Sequence, residues 1–171
     1  MQLSRTILKT LQGAALLSLA LTAVAADQPA AQARDQVPFR ASYDLELQMI
    51  VDLPFAHITS TGAALATHLG LVTAHSVEET INLLTGEGVA THQFTGANGD
   101  AILVEFVFTA IPTSATAFAV NGAWQISEGT GGFDGASGSG TYEGRVEFTG
   151  PTSAVGHFVM TGTISSPGGL K

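Results

Sequence analysis

From Phe39 the chain alternates: Phe39, Ala41, Tyr43, Leu45, Leu47, Met49 and Val51 fall on one parity, and Arg40, Ser42, Asp44, Glu46 and Gln48 on the other. A period of two is that of a strand with one face in a core and the other in water, and no three- or four-residue spacing competes with it. Seven further segments with strand signals follow, at 55–67, 69–83, 88–97, 101–111, 115–127, 138–149 and 153–165. Turn chemistry separates them, in Asp52-Leu53-Pro54, Thr85-Gly86-Glu87-Gly88, Asn98-Gly99-Asp100, Pro112-Thr113-Ser114 and Gly150-Pro151. Asn98-Gly99 is the strongest hairpin signal and predicts a type I′ turn.

Eight sequential strands with short connections predict an all-β fold, an eight-stranded antiparallel closed β-barrel, since closure removes the edges an open meander would expose. A two-sheet sandwich is the alternative. Gly122, Gly138, Gly140, Gly144, Gly156 and Gly162 favour the barrel because they fall inside strands, where a strongly coiled sheet accommodates them.

The first 26 residues read differently. Arg5 and Lys9 precede an apolar stretch from Leu11 to Val24, and Ala23-Val24-Ala25 offers small residues for cleavage, the layout of a secretory signal. The stretch is short for a membrane span, which needs about 20 apolar residues. An exported protein, periplasmic or extracellular, is expected, with residues 27–36 as a flexible lead-in and 37–171 as one barrel domain. Cleavage would leave four basic residues against 14 acidic ones, a net charge of −10. Scattered Arg34, Arg40, Arg145 and Lys171 argue against nucleic acid or an anionic membrane surface as partner. The chain has no cysteine, so neither disulfides nor thiol chemistry can contribute.

Candidate chemistry is sparse. Glu105 interrupts Ile102-Leu103-Val104-Glu105-Phe106-Val107-Phe108, where both parities are otherwise apolar. Facing a lumen it would be desolvated and suited to acid–base catalysis; facing out it would keep an edge soluble. Tyr43, Trp124 and Phe106 are candidate ligand-facing side chains, supplying a polar tip or an aromatic face. Glu143, Arg145 and Glu147 share a strand face and read as an outward polar stripe. His57, His68, His75, His92 and His157 include no His-x-His pair, so they read as solvated or hydrogen-bonded side chains and no metal site is expected.

The glycine-dense run after strand six carries a family likeness. Gly129-Thr130-Gly131-Gly132-Phe133-Asp134-Gly135-Ala136-Ser137-Gly138 resembles the Gly-Gly-Thr-Gly-x-Phe-x-Gly-Ala-x-Gly signature of the allene oxide cyclase and dirigent barrel superfamily, with Glu128 in place of the leading glycine. Ala90-Thr91-His92, Asn98-Gly99-Asp100 and Gly162-Thr163-Ile164 look like the small secreted bacterial members. The resemblance implies an eight-stranded barrel with an apolar lumen, often a homo-oligomer, and gives Gly129, Gly131, Phe133, Gly135 and Gly138 a structural role. It also implies a small apolar or phenolic ligand and a cofactor-independent cyclase or isomerase. A filled, non-catalytic barrel serving in structure or surface interaction is the competing expectation.

Overall fold

The computed structural model describes residues 35–165, which form eight strands: β1 (Gln36–Asp52), β2 (Phe55–Ala66), β3 (Gly70–Asn82), β4 (Glu87–Gly96), β5 (Ala101–Pro112), β6 (Ala117–Gly129), β7 (Gly138–Phe148) and β8 (Ser153–Ser165). Each pairs antiparallel with its sequence neighbours, and β1 also pairs with β8, from Gln36 opposite Ser165 to Gln48 opposite Ser153. The sheet is a closed barrel rather than a sandwich. Strand one begins at Gln36, one residue before the expected start, while the predicted export segment and nearly all of the lead-in lie outside the described residues.

Alternation directs side chains as the sequence pattern requires. Phe39, Ala41, Tyr43, Leu45 and Leu47 of β1 are buried, and their odd-numbered row meets inward rows from the other strands. Two strands break the rule: in β6, Ser127 is an extra residue between Ile126, opposite Val104, and Glu128, opposite Leu103, and the second bulge lies in β3. In β3, Ser76 pairs with His92 and Glu78 with Thr91, so Val77 is an extra residue facing no partner in β4. This β-bulge switches the inward parity of β3 from Val72 and Ala74 to Glu79 and Ile81.

The barrel has two unlike ends. At one, the turns β2–β3, β4–β5 and β6–β7 meet, and the glycine run folds back over the opening. Gly131 and Gly135 take φ of 61° and 64°, conformations that glycine adopts without steric cost, and between them a single 3-10 turn buries Phe133. Thr130 ties this segment to β5, its N–H donating to the Ala101 carbonyl and its hydroxyl accepting from the Ala101 N–H. Gly140 and Gly162 face each other across β7 and β8; a Cβ on Gly162 would strike the Ser139 carbonyl oxygen and come within 2.8 Å of the Trp124 ring. The missing side chains seat the indole. Trp124 Nε1 donates to the Thr141 and Thr161 carbonyls at 3.1 and 3.3 Å, and its ring packs on Phe39.

The β4–β5 turn departs from expectation. Gly99 takes φ of 87° and Asn98 does not take positive φ, so the type I′ turn, which needs both, does not form. Instead Gly99 N–H donates to Gly96 O and Gly96 N–H to Asp100 O, a longer hairpin closed by a left-handed glycine. Asn98 Oδ1 accepts from the Asp100 N–H, the local side-chain bond that draws asparagine into such turns.

Candidate functional site

The other half of the barrel is not filled. A cavity of about 100 Å3 opens beneath the β1–β2, β3–β4, β5–β6 and β7–β8 turns, walled mainly by apolar side chains such as Leu47, Ile58, Phe108, Phe118, Val120 and Phe148. Leu53 and Leu84, in two of those turns, are 75 % and 80 % exposed, so the rim continues the apolar character of the interior outward.

The polar groups inside are few. The bulge at Val77 turns Glu79 inward from β3, and His92 reaches the same space from β4. His92 Nε2 lies 3.1 Å from Glu79 Oε2, with the two side chains 6 % and 10 % exposed. Ser60, on β2, donates its hydroxyl to the same carboxylate oxygen at 3.2 Å, while its N–H is satisfied by the Ser76 hydroxyl at 2.8 Å beside the bulge. A carboxylate only accepts hydrogen bonds, so the proton shared with Glu79 sits on Nε2, and in the neutral imidazole the lone pair is on Nδ1. His92 Nδ1 is buried without a hydrogen-bond partner.

Aromatic rings surround this pair. The His92 ring lies 5.1 Å from Phe106 and 6.4 Å from Phe94; Phe106 meets Tyr142 edge-on at 4.9 Å, and Tyr43 stacks on Phe158 at 5.2 Å. Tyr43 and Tyr142 both line the cavity. Burial, reinforced by the negative charge of Glu79, pushes both phenols well above the ordinary value of 10.0, so they are held as neutral donors. An acceptor, two donors and one carboxylate in an apolar enclosure can bind a polar group on an otherwise greasy molecule and move a proton on it.

The sequence candidates divide across the molecule. Tyr43 and Phe106 line the cavity beside His92. Trp124 belongs to the filled half, locked by its two carbonyl bonds and Phe39, and does not line the cavity. Glu105 corrects the expectation of a luminal carboxylate: it is exposed on the outer face, where Gln125 Nε2 donates to it at 2.8 Å. Strand parity decides this, because Val104, Phe106 and Phe108 already hold the inner face of β5. Val107, at 65 % exposure, supplied the misleading second apolar parity. Glu143, Arg145 and Glu147 form an outward stripe, as read.

Glu79 was not singled out in the sequence, and His92 was read there as one of five solvated or hydrogen-bonded histidines. The signal for Glu79 lay in the parity change from Val72 and Ala74 to Ile81 and Leu83, which requires an extra residue between them. Among the described residues no group of three or more His, Cys, Asp or Glu is arranged to hold a metal ion. No helix there is long and apolar enough to cross a membrane.

Fold and site together define an up-and-down barrel, plugged at one end and hollow at the other. No family model matches the chain, and no curated protein or solved structure is detectably similar to it.

Proposed function

We propose that this protein is an exported barrel that binds a small apolar molecule in its lumen and acts on it as a cofactor-independent isomerase or cyclase. The single observation that carries the reading is an apolar cavity lined by one buried acid–base pair, Glu79–His92, and two phenols. Confinement of a flexible molecule between fixed walls lowers the barrier to rearrangement by removing orientational freedom beforehand, and a positioned base adds proton transfer. The kinship suggested by the glycine run, with the allene oxide cyclase and dirigent group, supports the same reading. So does the apolar rim around Leu53 and Leu84, which gives a greasy ligand a continuous path inward.

Assembly as a homo-oligomer is part of the proposal. It is supported by exposed apolar pairs on the outer wall, Leu65 opposite Leu71 and Val89 opposite Val107, which a partner would cover.

Thermal unfolding with small ring compounds and branched hydrocarbons tests the lumen. A ligand at a hundred times its Kd stabilises the folded chain by about 2.7 kcal/mol, a shift of several degrees. Ile58→Trp, which places an indole in the cavity, should abolish the shift. No shift with any probe, and no small molecule retained in native mass spectrometry of protein from its own host, would favour a non-catalytic barrel.

A further inference from the structure

We propose that His92 is the base that carries a proton between two carbons of a small enolisable ketone, moving a double bond into conjugation with its carbonyl. The inference rests on the lumen reading above and names the substrate class of that site.

Four observations converge on it. Glu79 and Ser60 fix the imidazole so that its free lone pair is on Nδ1, and that atom has no partner in the protein. It is buried, so a proton donor reaches it only on a molecule that occupies the cavity His92 lines. Tyr43 and Tyr142 line the same cavity, their hydroxyls have no hydrogen-bond partner among the described residues, and burial keeps them protonated. Phe106 packs on both His92 and Tyr142, at 5.1 and 4.9 Å, so base and phenol flank one ring of the same cavity wall.

The cavity also limits what enters. At about 100 Å3 it is smaller than the roughly 150 Å3 void that takes up benzene, so a single ring fills it and reaches toward the mouth. Glu79 is its one carboxylate and no lysine or arginine lines it, so carboxylated or phosphorylated head groups are repelled. A neutral carbonyl compound remains.

The step balances without a co-reactant. His92 Nδ1 takes a proton from the carbon between carbonyl and alkene; the C–H electrons form the enolate, whose oxygen accepts hydrogen bonds from the phenols. The imidazolium is stabilised by Glu79 through Nε2–H. It then returns the same proton to the far alkene carbon, leaving the conjugated enone and neutral His92.

Cyclohex-3-enone supplied to the full chain tests this, with formation of cyclohex-2-enone followed by its ultraviolet absorbance and cyclohexanone binding measured in parallel. The wild type should accelerate conversion about 10²- to 10⁴-fold over buffer. His92→Leu should remove the acceleration while still binding cyclohexanone, which shows that the lumen has survived the substitution. Tyr142→Phe should slow the reaction at least about tenfold. Glu79→Gln, which disturbs a positioning residue, should lower kcat with KM unchanged. Wild-type conversion at the buffer rate with cyclohexanone bound, or His92→Leu converting as fast as wild type, overturns the inference and leaves the binding lumen standing. Failure of cyclohexanone to bind the wild type overturns both.

Discussion

Glu79 and His92 meet at 3.1 Å inside the barrel because β3 changes face one turn of its pleat earlier, at Val77. The pair is a local exception to an apolar lumen, and its energetics should show it. Glu79→Leu strips the partner from both His92 Nε2–H and the Ser60 hydroxyl, leaving buried donors unmade. Breaking such a pair from one side costs about 3–5 kcal/mol, whereas replacing both partners by apolar groups is often neutral or stabilising. We expect Glu79→Leu and His92→Leu each to lower stability by that order in urea unfolding, and the double variant to return close to wild type. An additive double variant would mean that the two side chains do not support each other.

The seat of Trp124 makes a second prediction. Gly162→Ala puts a methyl group against the Ser139 carbonyl and the indole, and neither neighbour has room to retreat because Trp124 is pinned by two carbonyls. Overpacking of this kind costs about 1–3 kcal/mol. Trp124 is the only tryptophan, so its fluorescence should move toward the emission of a wetter indole as urea is added, at a midpoint lower than in wild type. Gly150→Ala, in a turn where a Cβ meets only Ser153 at 3.7 Å, is the control and should change little.

These two sites show how far the sequence could be read. Clean alternation in β1 and glycines inside β6, β7 and β8 announced a closed antiparallel sheet, because both follow from backbone geometry that every residue in a strand shares. Glu105 was left open between the two faces and Glu79 was missed, because the facing of a side chain is not readable from its own segment alone. Facing is a cumulative property, and a single bulge resets it for everything downstream. β5 itself carries no extra residue, the one in its ladder with β6 being Ser127, so an apolar outer face around Val107 looked like burial; in β3 Val77 is extra and resets the facing of Glu79. Sequence spacing also carried no hint that His92, 13 residues from Glu79 in the chain, would meet it across a single ladder.

The chain's two tyrosines, Tyr43 and Tyr142, are both buried in the lumen, which gives a pH dependence of definite sign. Burial raises both phenols above 10.0 in the folded state, so the unfolded chain loses these protons first as pH rises. Their contribution is fully present below pH 10 and declines as pH climbs beyond it. Unfolding free energy should therefore fall with increasing slope above pH 10, and tyrosinate absorbance should appear together with loss of structure. A variant with both residues changed to phenylalanine should show a shallower alkaline decline. Tyrosinate forming at pH 10 with the barrel intact would mean that the phenols are open to water.

Deleting Val77 is the most direct test of how the site is built. The residue is 59 % exposed and unpaired with β4, and β3 carries one residue more than β2 between the pairs His57↔Thr80 and Thr61↔His75. Without it, Ser76 and Glu78 would become neighbours and the ladder would run unbroken on both sides, with Ser76 opposite His92, Glu78 opposite Thr91 and Glu79 still facing inward. Removing a strand residue normally turns every later side chain to the wrong face and unfolds the protein. Here the deletion should leave a folded barrel, with stability within about 1 kcal/mol of wild type, the usual range for changes that disturb no packed core. Deleting Thr73, in the regular part of the same strand, should abolish folding. What the Val77 deletion should change is the aim of Glu79, because the extra twist of the bulge sets the angle at which its carboxylate meets His92 and Ser60. Turnover should drop while ligand binding persists. A deletion variant that fails to fold would mean that the bulge is needed for the barrel itself and not only for the direction of one side chain.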